Sequence, residues 1–367
     1  MSKDYTEDFE NYIRHTEPEK KEKSYAWATA IGLQQVDGLT PSKYLYDTAR
    51  RNIEGEISID QAKKLIDSYY KSKTQRNDDE DDRTEEADKV SSRIAQILSE
   101  PSFNFSPSYL IAIHRRLFEG IYKFAGIIRD YDITKNEWVL NGDTVMYGAA
   151  FELKEALNYD FEMERAFSYK NISKDELVKH ITFFVSRLWQ IHAFGEGNTR
   201  TTAVFTIKYL RSLGFNAEND IFAKNSWYFR NALVRANYTN IQKGVEETPE
   251  YLERFFRNLL LGENNELKNR YCHIDYKLYA QKADGQSSPK SSPKSGFGSP
   301  KSSPKLKTSD KIFILIKSNP KITTQEIAEN IGITKRAVLK NLSNMKDRVI
   351  HTGPYNGGSW EILEENK

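Results

Sequence analysis

Ten consecutive residues, HAFGEGNTRT from His192 to Thr201, separate two apolar runs. The run before them is HITFFVSRLWQI and the run after them is TAVFTIKYL, and both have the apolar spacing of core helices. The loop between them carries a histidine, a carboxylate, an asparagine and an arginine, spaced by two glycines. Side chains of these types move protons, hold metal ions and bind anions. The loop is therefore the first candidate for chemistry.

The glycine spacing of this loop excludes two common nucleotide-binding motifs. A Walker-type phosphate loop requires G-x-x-x-x-G-K-[ST] after a strand, whereas Gly195 and Gly197 lie two positions apart with no lysine following. A Rossmann fingerprint requires a third glycine where Arg200 stands, again after a strand rather than a helix. A histidine-based metal site is excluded because His192 has no histidine three or four positions away.

The remaining interpretation is an anion site at the start of a helix. Gly197 and Asn198 precede the second apolar run, and the free N–H groups and dipole of a helix N-terminus favour phosphate. Arg200 adds a planar fork for phosphate oxygens. Glu196 is a hard oxygen ligand of the kind that holds Mg²⁺ beside nucleotide phosphates. Since His192 can take a proton from a hydroxyl near neutral pH, the set predicts attack of a hydroxyl on a phosphorus atom.

The loop also resembles the signature of the Fic family, H-x-F-x-[DE]-G-N-x-R. Every fixed position matches, at His192, Phe194, Glu196, Gly197, Asn198 and Arg200. The resemblance continues through IHRRLFEGIYKFAGIIR (Ile113 to Arg129) and WYFRNALVRANY (Trp227 to Tyr238), and covers roughly residues 90 to 260. It implies a mainly α fold, a Fic-type helical bundle with a β-hairpin flap, to which the sequence adds a small C-terminal winged helix-turn-helix domain.

The family resemblance implies transfer of AMP from ATP to a hydroxyl side chain of a target protein, with release of pyrophosphate. By the same resemblance His192 is the general base, Glu196 is the Mg²⁺ ligand, and Phe194 is a buried anchor of the loop. Arg200 is implied to contact the outer phosphates. The loop residues expected to bind the nucleotide are Gly195, Gly197, Asn198, Thr199 and Arg200.

Two alternatives remain open at the level of sequence. The same fold could transfer another phosphate-linked group, such as UMP, phosphate or phosphocholine, because the loop is expected to contact the phosphates and not the nucleobase. A different class is a DNA-binding regulator whose Fic-like domain only senses nucleotide, although a sensor does not need the base that His192 provides.

The segment DITKNEWVLNGDTVMYG (132–148) interrupts the helical pattern. Asn141-Gly142 lies between two short runs rich in β-branched and aromatic residues, which predicts a β-hairpin. The hairpin could be structural decoration, or an edge that pairs with an incoming peptide. It resembles the flap with which the family holds its target, and the residues implied nearest the nucleotide are Val145, Met146 and Tyr147.

Two further residues fall where the family contacts adenosine. They are Tyr228 and Asn237 in the matching stretch WYFRNALVRANY, and core packing is an equal interpretation for Tyr228.

The loop departs from the family at the positions that concern control. Family members whose activity is inhibited usually carry a second arginine three positions after the first, but Ala203 occupies that position here. Thr199 also replaces the glycine that usually precedes Arg200. One phosphate contact is therefore expected to be missing.

The N-terminal segment resembles the family's small antitoxin-like domain, especially in IGLQQVDGLTPS and NIEGEISIDQAKKL. The inhibitory pattern there is [ST]-x-x-x-E-[GN], whose glutamate pairs with the second arginine. The inhibitory candidates are Asp37, with Leu33 in place of the hydroxyl residue, and Glu54, with Arg50 in that place. Because aspartate is one methylene shorter and the second arginine is absent, we expect inhibition to be weak, or to run through Arg200 alone.

Composition and periodicity divide the chain into five segments. These are a helical module (1–72), an acidic linker or helix start (73–89), the Fic-like domain (90–270), a Ser-Pro-Lys tether (271–307) and a winged helix-turn-helix domain (308–367). Ser42 and Ser58 are predicted N-caps in the first segment. The repeated Ser-Pro-Lys units of the tether predict an extended spacer.

The last segment is predicted to contain two helices and two short strands. Thr323 and Thr334 are N-cap candidates, and the strands flank Asn356-Gly357-Gly358. The second helix carries basic residues suited to DNA phosphates, Lys335, Arg336, Lys340 and Lys346. Such a domain binds DNA or serves as a protein-contact module.

Overall composition places few limits on function. The 54 basic and 52 acidic residues give a formal charge of +2, so any nucleic-acid contact must come from local clustering. Cys272 is the single cysteine, no apolar run approaches the roughly 20 residues of a membrane span, and the first residues lack a signal-peptide core. We therefore expect a cytoplasmic protein that uses ATP with Mg²⁺, acts on a protein target and does not contact membranes.

Overall fold

The computed structural model describes residues 4–72, 78–215 and 221–276, together with short stretches between 312 and 362. These stretches are 312–313, 315–316, 320, 322–331, 338, 341–342, 345, 348–352 and 359–362. The chain divides into two compact units, Met1–Pro289 and Lys290–Lys367. Residues 277–307 of the predicted tether lie outside the described residues. Across the described ranges, no helix combines the length and the apolar character that crossing a membrane requires.

Short helices form the N-terminal part of the first unit, and a longer helix follows. Their bounds are α1 (Asp4–Arg14), α2 (Lys21–Gly32), a 3₁₀ turn (Leu33–Asp37), α3 (Lys43–Ile53), α4 (Ile59–Ser72) and α5 (Asp78–Ser99). Both predicted caps are confirmed, because Ser42 Oγ accepts from Leu45 N at 3.2 Å and Ser58 Oγ accepts from Gln61 N at 3.1 Å. Helix α5 begins within the acidic segment, whose residues 73–77 are not described.

A helical bundle makes up the rest of this unit. Its helices are α6 (Pro107–Phe118), α7 (Leu153–Ala166), α8 (Lys174–Ile191), α9 (Asn198–Ser212), α10 (Ile221–Ala236), α11 (Glu250–Leu261) and the short α12 (Asn269–Cys272). Helix α9 is central, since every residue from Asn198 to Leu210 is buried and α5, α6 and α8 pack against it. The predicted mainly helical fold is confirmed.

The N-terminal helices share the apolar core of the bundle, which runs from Phe9 to Cys272. Helix α2 packs against both α5 and α10. The approach to α10 is so close that a Cβ on Gly32 would lie 2.2 Å from the carbonyl oxygen of Ala223. Because α2 is fixed there, the 3₁₀ turn that follows it is held against α9 and α10, and Asp37 at its end lies beside the loop between α8 and α9.

The flap, residues 132–148, reverses direction where the sequence predicts. Asn141 and Gly142 have positive φ of 57° and 85°. Glu137 N donates to Asp143 O at 3.0 Å, and Gly142 N donates to Glu137 O at 3.0 Å, so the turn is closed by backbone hydrogen bonds. The predicted turn is confirmed.

The two strands predicted on either side of this turn do not form. A 3₁₀ turn at Trp138–Leu140 replaces part of one arm. Beyond the turn the arms form no continuous ladder, and several of their backbone groups bond to other parts of the bundle: Gly148 N donates to Gln190 O at 3.2 Å, and Val139 O accepts from Ile274 N at 2.9 Å. The β-hairpin prediction was therefore wrong in its strands, because tertiary hydrogen bonds replace the ladder.

The second unit contains one described helix, α13 (Thr324–Ile331), and a two-stranded antiparallel sheet. Thr323 caps α13 as predicted, since its Oγ1 accepts from Glu326 N at 3.2 Å. Strands β1 (Val349–Thr352) and β2 (Ser359–Ile362) pair with Val349 opposite Ile362. The strand prediction is confirmed. The remaining predicted features lie outside the described residues, at Gly332, Thr334, Lys335, Arg336, Lys340, Lys346 and the residues 356–358.

Candidate active site

The signature loop joins the end of α8 to the start of α9. His192 closes α8 in a left-handed conformation with φ of 50°, and Gly197 precedes α9 with φ of 76°. A Cβ on Gly197 would lie 2.3 Å from the ring of Phe118, so only glycine fits there. A Cβ on Gly195 would lie 2.6 Å from the hydroxyl of Tyr131. The glycines therefore let the loop backbone approach its neighbours closely.

Asn198 and Phe194 brace the loop from inside. The Asn198 amide accepts from Phe194 N at 3.0 Å and donates to Phe194 O at 2.6 Å. Phe194 is 2% exposed and stacks on the ring of His114, with centroids 3.8 Å apart. Phe194 is thus the buried anchor that the sequence predicted, and the Asn198 side chain sets the shape of the loop.

His114, which the sequence analysis missed, positions the loop from α6. Its Nδ1 accepts from Gly126 N at 2.8 Å, and its Nε2–H donates to the carbonyl of Glu196 at 3.0 Å. Burial lowers the pKa of His114 to about 4, so the ring is neutral at pH 7. The residue lies within the matching stretch Ile113 to Arg129, but its partner is far away in the sequence.

His192 is oriented and kept neutral by its surroundings. Its Nδ1 lies 3.2 Å from the carbonyl of Trp189; since a carbonyl only accepts, Nδ1 carries the proton and Nε2 carries the lone pair. Burial, with the positive charge of Lys135 as a second cause, lowers the pKa of His192 well below its usual value. The ring packs against Tyr147, with centroids 4.1 Å apart. His192 therefore has an accepting nitrogen at neutral pH.

Arg129 connects the signature loop to the flap. Its Nε donates to the carbonyl of His192 at 2.8 Å, and its Nη2 donates to the carbonyl of Gly148. Its backbone N donates to the carbonyl of Ala193 at 2.9 Å. The flap and the base are thus held by one side chain that is itself buried.

Glu196 forms an ion pair with Lys135 of the flap. The Glu196 side chain is 50% exposed, so its carboxylate faces the solvent side of the loop. Among the described residues, no group of three or more histidine, cysteine, aspartate or glutamate side chains could enclose a metal ion. One accessible carboxylate fits Mg²⁺ that arrives with nucleotide phosphates, which commonly supply the other ligands. In the structure the ammonium group of Lys135 is the cation that lies beside that carboxylate.

Arg200 is buried and surrounded by acidic and polar partners. Its Nη2 donates to Glu86 at 2.6 Å and its Nη1 donates to the side chain of Gln34 at 3.1 Å. Its Nε lies 2.8 Å from Asp37 Oδ2, although the N–H direction does not form a hydrogen bond with that oxygen. Burial alone would lower the pKa of Arg200, but Asp37, Tyr122 and Glu86 together raise it, so the side chain stays charged.

Asp37 therefore reaches the signature arginine. The sequence favoured weak inhibition, or inhibition through Arg200 alone. In the structure Asp37 contacts Arg200 and also lies 3.4 Å from Arg230, because the 3₁₀ turn after α2 packs against α9 and α10. Glu54, the second candidate, lies elsewhere: it pairs with Lys20 at 2.5 Å and accepts from Tyr12. Glu54 is excluded as a partner of Arg200 in this structure.

Arg230 on α10 is a second arginine that the sequence analysis did not identify. Its Nη2 donates to both carboxylate oxygens of Glu137, at 2.9 and 3.0 Å. Its Nη1 lies 3.4 Å from Asp37 Oδ1. With His192 and Glu196 it lines a cavity of about 10 Å³, room for about one water molecule. Arg230 lies inside the matching stretch Trp227 to Tyr238, but no spacing rule connects it to the loop.

Several other predicted residues lie away from this cavity. Tyr228 is 1% exposed and donates to the carbonyl of Tyr251 at 3.1 Å, so it is a core residue here. The Asn237 amide donates to Ser186 Oγ at 2.9 Å and is satisfied inside the fold. Val145 is buried, whereas Met146 is 84% exposed and points to solvent. Thr199, by contrast, does line the cavity, and its hydroxyl accepts from Trp189 Nε1 at 3.0 Å.

Two parts of the chain match known families. Residues 104–210 match the model of the Fic/DOC family, and residues 307–348 match that of a winged helix-turn-helix DNA-binding domain. The chain is 23% identical over 166 residues to the protein adenylyltransferase VbhT of Bartonella schoenbuchensis. That match covers 40% of this chain and 34% of VbhT, so the chain spans about a third of that relative's length.

Solved structures of Fic proteins resemble the fold at low TM-scores. The N-terminal FIC domain of Bep8 from Bartonella sp. 1-1C is 19% identical with a TM-score of 0.40, over 51% of this chain and 88% of that one. The N-terminal Fic domain of a VirB-translocated Bep effector from Bartonella quintana, solved with bound ADP, is 19% identical with a TM-score of 0.39, over 52% and 92%. A Fic family protein from Desulfovibrio desulfuricans G20 is 13% identical with a TM-score of 0.38, over 100% and 98%.

The family matches and the helical bundle around the signature loop together show that the chain contains a Fic/DOC domain within residues 104–210 and a winged helix-turn-helix domain within residues 307–348.

Proposed function

We propose that the Fic/DOC domain transfers AMP from ATP to a hydroxyl side chain of a target protein. The observation that carries this proposal is the neutral His192, whose Nδ1 is satisfied by the Trp189 carbonyl and whose Nε2 is left as a base. The name of the relative VbhT, a protein adenylyltransferase, supports the same reaction class. A nucleotide sensor does not require a base prepared in this way.

In this proposal, His192 Nε2 takes the proton of the target hydroxyl as the oxygen attacks the α-phosphorus of ATP. The new P–O bond forms as the bond to the pyrophosphate oxygen breaks, and pyrophosphate leaves with the electron pair of that bond. Tyr147 packs on the imidazole and the Trp189 carbonyl fixes its tautomer, so the accepting nitrogen keeps one direction. A base positioned in this way contributes about 10² to 10⁴-fold in rate.

The start of α9 is proposed to hold the phosphates. Gly197 and Asn198 place backbone N–H groups at a helix N-terminus, where the dipole favours an anion, and Arg200 lies in the first turn of the helix. Glu196 would hold Mg²⁺, which when bound would offset the charge of the phosphate oxygens. For the ion to reach Glu196, Lys135 must give up its ion pair with that carboxylate.

The flap is proposed to hold the target segment. Met146 of the flap and Phe151, which follows it in the chain, are 84% and 81% exposed, so large apolar side chains lie on the surface here. The Met146 carbonyl accepts from Gln190 Nε2 at 3.2 Å, so this part of the flap is fixed to α8. An extended peptide would therefore meet a preformed surface.

The winged helix-turn-helix domain is proposed to bind DNA. The family match supports this role, and four basic residues of its predicted second helix suit phosphate contacts, Lys335, Arg336, Lys340 and Lys346. The test is binding to random-sequence duplexes at rising salt, with Lys335→Gln/Arg336→Gln as the comparison. Salt-independent binding, or binding that the double variant leaves unchanged, would contradict the proposal.

The reaction is tested by incubating the protein and a cell lysate with ATP labelled either at the α-phosphorus or at the γ-phosphorus. AMP transfer predicts that the label which requires the added protein comes from the α-labelled ATP only. Label from the γ-phosphorus that likewise requires the added protein would instead indicate phosphate transfer. Tight binding of ATP with no label from either position would refute transfer from ATP and support a sensor.

A further inference from the structure

We infer that Arg230, from α10, supplies the second arginine contact to the outer phosphates of bound ATP, in place of the arginine that α9 lacks at Ala203. This inference rests on the proposed function, since it names a substrate contact of the same site. Ala203 is fully buried in α9 and offers no polar group. Arg230, on α10, lines the cavity at the start of α9 together with His192, Glu196 and Thr199.

The carboxylate of Asp37 marks the position of an anion between two arginines. One oxygen lies 2.8 Å from Arg200 Nε and the other lies 3.4 Å from Arg230 Nη1. Both guanidinium groups also keep a separate acidic partner, Glu86 for Arg200 and Glu137 for Arg230. A phosphate oxygen in the place of the Asp37 carboxylate would therefore meet two charged donors that remain held in position.

Each of the two arginines also has one buried donor that is unpaired among the described residues. The Nε–H groups of Arg200 and Arg230 are buried and have no hydrogen-bond acceptor among the described residues. Buried donors normally have acceptors, and leaving one unpaired is unfavourable. Phosphate oxygens are acceptors that match the fork of an arginine, so a bound polyphosphate would satisfy these groups.

Glu137 explains how an arginine from α10 can serve this site. It is 2% exposed, lies in the flap, and accepts two hydrogen bonds from Arg230 Nη2. It also accepts from the hydroxyl of Tyr147, whose ring packs on His192. The flap therefore aims Arg230 at the cavity and places it beside the base.

A purely structural role is the competing interpretation, in which Arg230 only pins the flap to α10. The two roles differ in how they affect nucleotides with different numbers of phosphates. A contact to the outer phosphates acts on ATP and leaves AMP unaffected. A pin for the flap would change the shape of the whole site, and so would act on both nucleotides alike.

The experiment compares ATP and AMP affinities by calorimetry with Mg²⁺ present, in an Asp37→Ala background that frees both arginines. Arg230→Met should weaken ATP binding about 10-fold to 100-fold, the range expected for a lost charged hydrogen bond, and leave AMP binding within about twofold. Arg230→Lys, which keeps a charge opposite the buried Glu137, should give a smaller loss for ATP. Arg254→Met is the matched control, because Arg254 pairs with Glu250 at the surface of α11.

The inference is overturned if Arg230→Met weakens ATP and AMP alike, if it weakens neither, or if the Asp37→Ala background binds no ATP. Loss of folding in Arg230→Met would appear in its thermal unfolding, and the ATP to AMP ratio of Arg230→Lys then decides. Since the readout is binding, the inference and the proposed reaction fail separately: selective loss of ATP affinity without any label transfer would support the contact and refute the reaction.

Discussion

Replacing Asp37 by alanine should raise the rate of AMP transfer by about tenfold. In the structure the Asp37 carboxylate lies between Arg200 and Arg230, at the position that a phosphate oxygen would need. If ATP binds as proposed, it displaces this carboxylate before it contacts either arginine. The Asp37 side chain is 23% exposed, so the pair is only partly screened by water.

The magnitude follows from the geometry of the two contacts. A hydrogen bond between charged groups contributes about 1.5 to 3 kcal/mol when it is well formed. Here the contact to Arg200 Nε is close but not aligned as a hydrogen bond, and the contact to Arg230 is long at 3.4 Å. We therefore expect a value just below this range, about 1.4 kcal/mol, which corresponds to a tenfold change.

The assay measures initial rates of label transfer at ATP concentrations well below saturation. Asp37→Asn, which keeps the size of the side chain and removes its charge, should raise the rate nearly as much as Asp37→Ala. Glu54→Ala is the control, because Glu54 pairs with Lys20 on the surface of the same module. A rate within a factor of two of the parent for both Asp37 variants would contradict an inhibitory role for Asp37, as would an equal rise in Glu54→Ala.

Three further predictions concern the cation site, the pH dependence and the flap. Glu196→Ala should abolish most of the transfer activity and its dependence on Mg²⁺. Lys135→Met removes the ammonium group that pairs with Glu196, so it should lower the Mg²⁺ concentration needed for half-maximal rate. Unchanged Mg²⁺ titration curves would contradict both predictions. Burial lowers the pKa of His192 well below its usual value, so the imidazole stays neutral as pH falls. The transfer rate should therefore remain level from pH 7.5 to about 6, and a half-maximal rate near pH 6.5 would contradict this prediction. Met146→Pro should reduce transfer to a protein target and spare ATP binding, with Met146→Ala as control; equal loss of both would mean that the flap only supports the fold.

The parts of the site that share one stretch of sequence could be predicted from it. The signature predicted a loop between two core helices with Phe194 buried and His192 as the base. The burial of Phe194 and the orientation of His192 are consistent with that prediction. The caps at Ser42 and Ser58 followed from local chemistry, since a hydroxyl before an apolar run satisfies the free N–H groups of the helix that follows.

The parts that depend on tertiary packing could not be predicted in the same way. Arg230 and Asp37 are far apart in sequence and meet only because Gly32 allows α2 to lie against α10. Lys135 reaches Glu196 because Arg129 fixes the flap over the loop. Rules of periodicity and spacing apply to residues close in sequence, so they do not predict these long-range contacts.

The flap shows how tertiary contacts can override a local pattern. Asn141-Gly142 predicted a tight turn, and both residues have the positive φ that such a turn requires. The same pattern also predicted two paired strands, which do not form because backbone groups of the arms beyond the turn bond to Gln190 and Ile274. Strand formation depends on which partners are within reach, so the turn was the more predictable feature.

His192 is proposed to be the base of an AMP transfer reaction. The most direct test measures the rate at which His192→Ala transfers AMP from ATP labelled at the α-phosphorus, with ATP affinity measured on the same preparation. We expect a loss of about 10² to 10⁴-fold in rate with ATP affinity within about twofold of the parent, because the imidazole acts on the incoming hydroxyl and not on the nucleotide. Transfer close to the parental rate would contradict the claim. Loss of transfer accompanied by an equal loss of ATP affinity would contradict it as well, since His192 would then serve nucleotide binding rather than proton transfer.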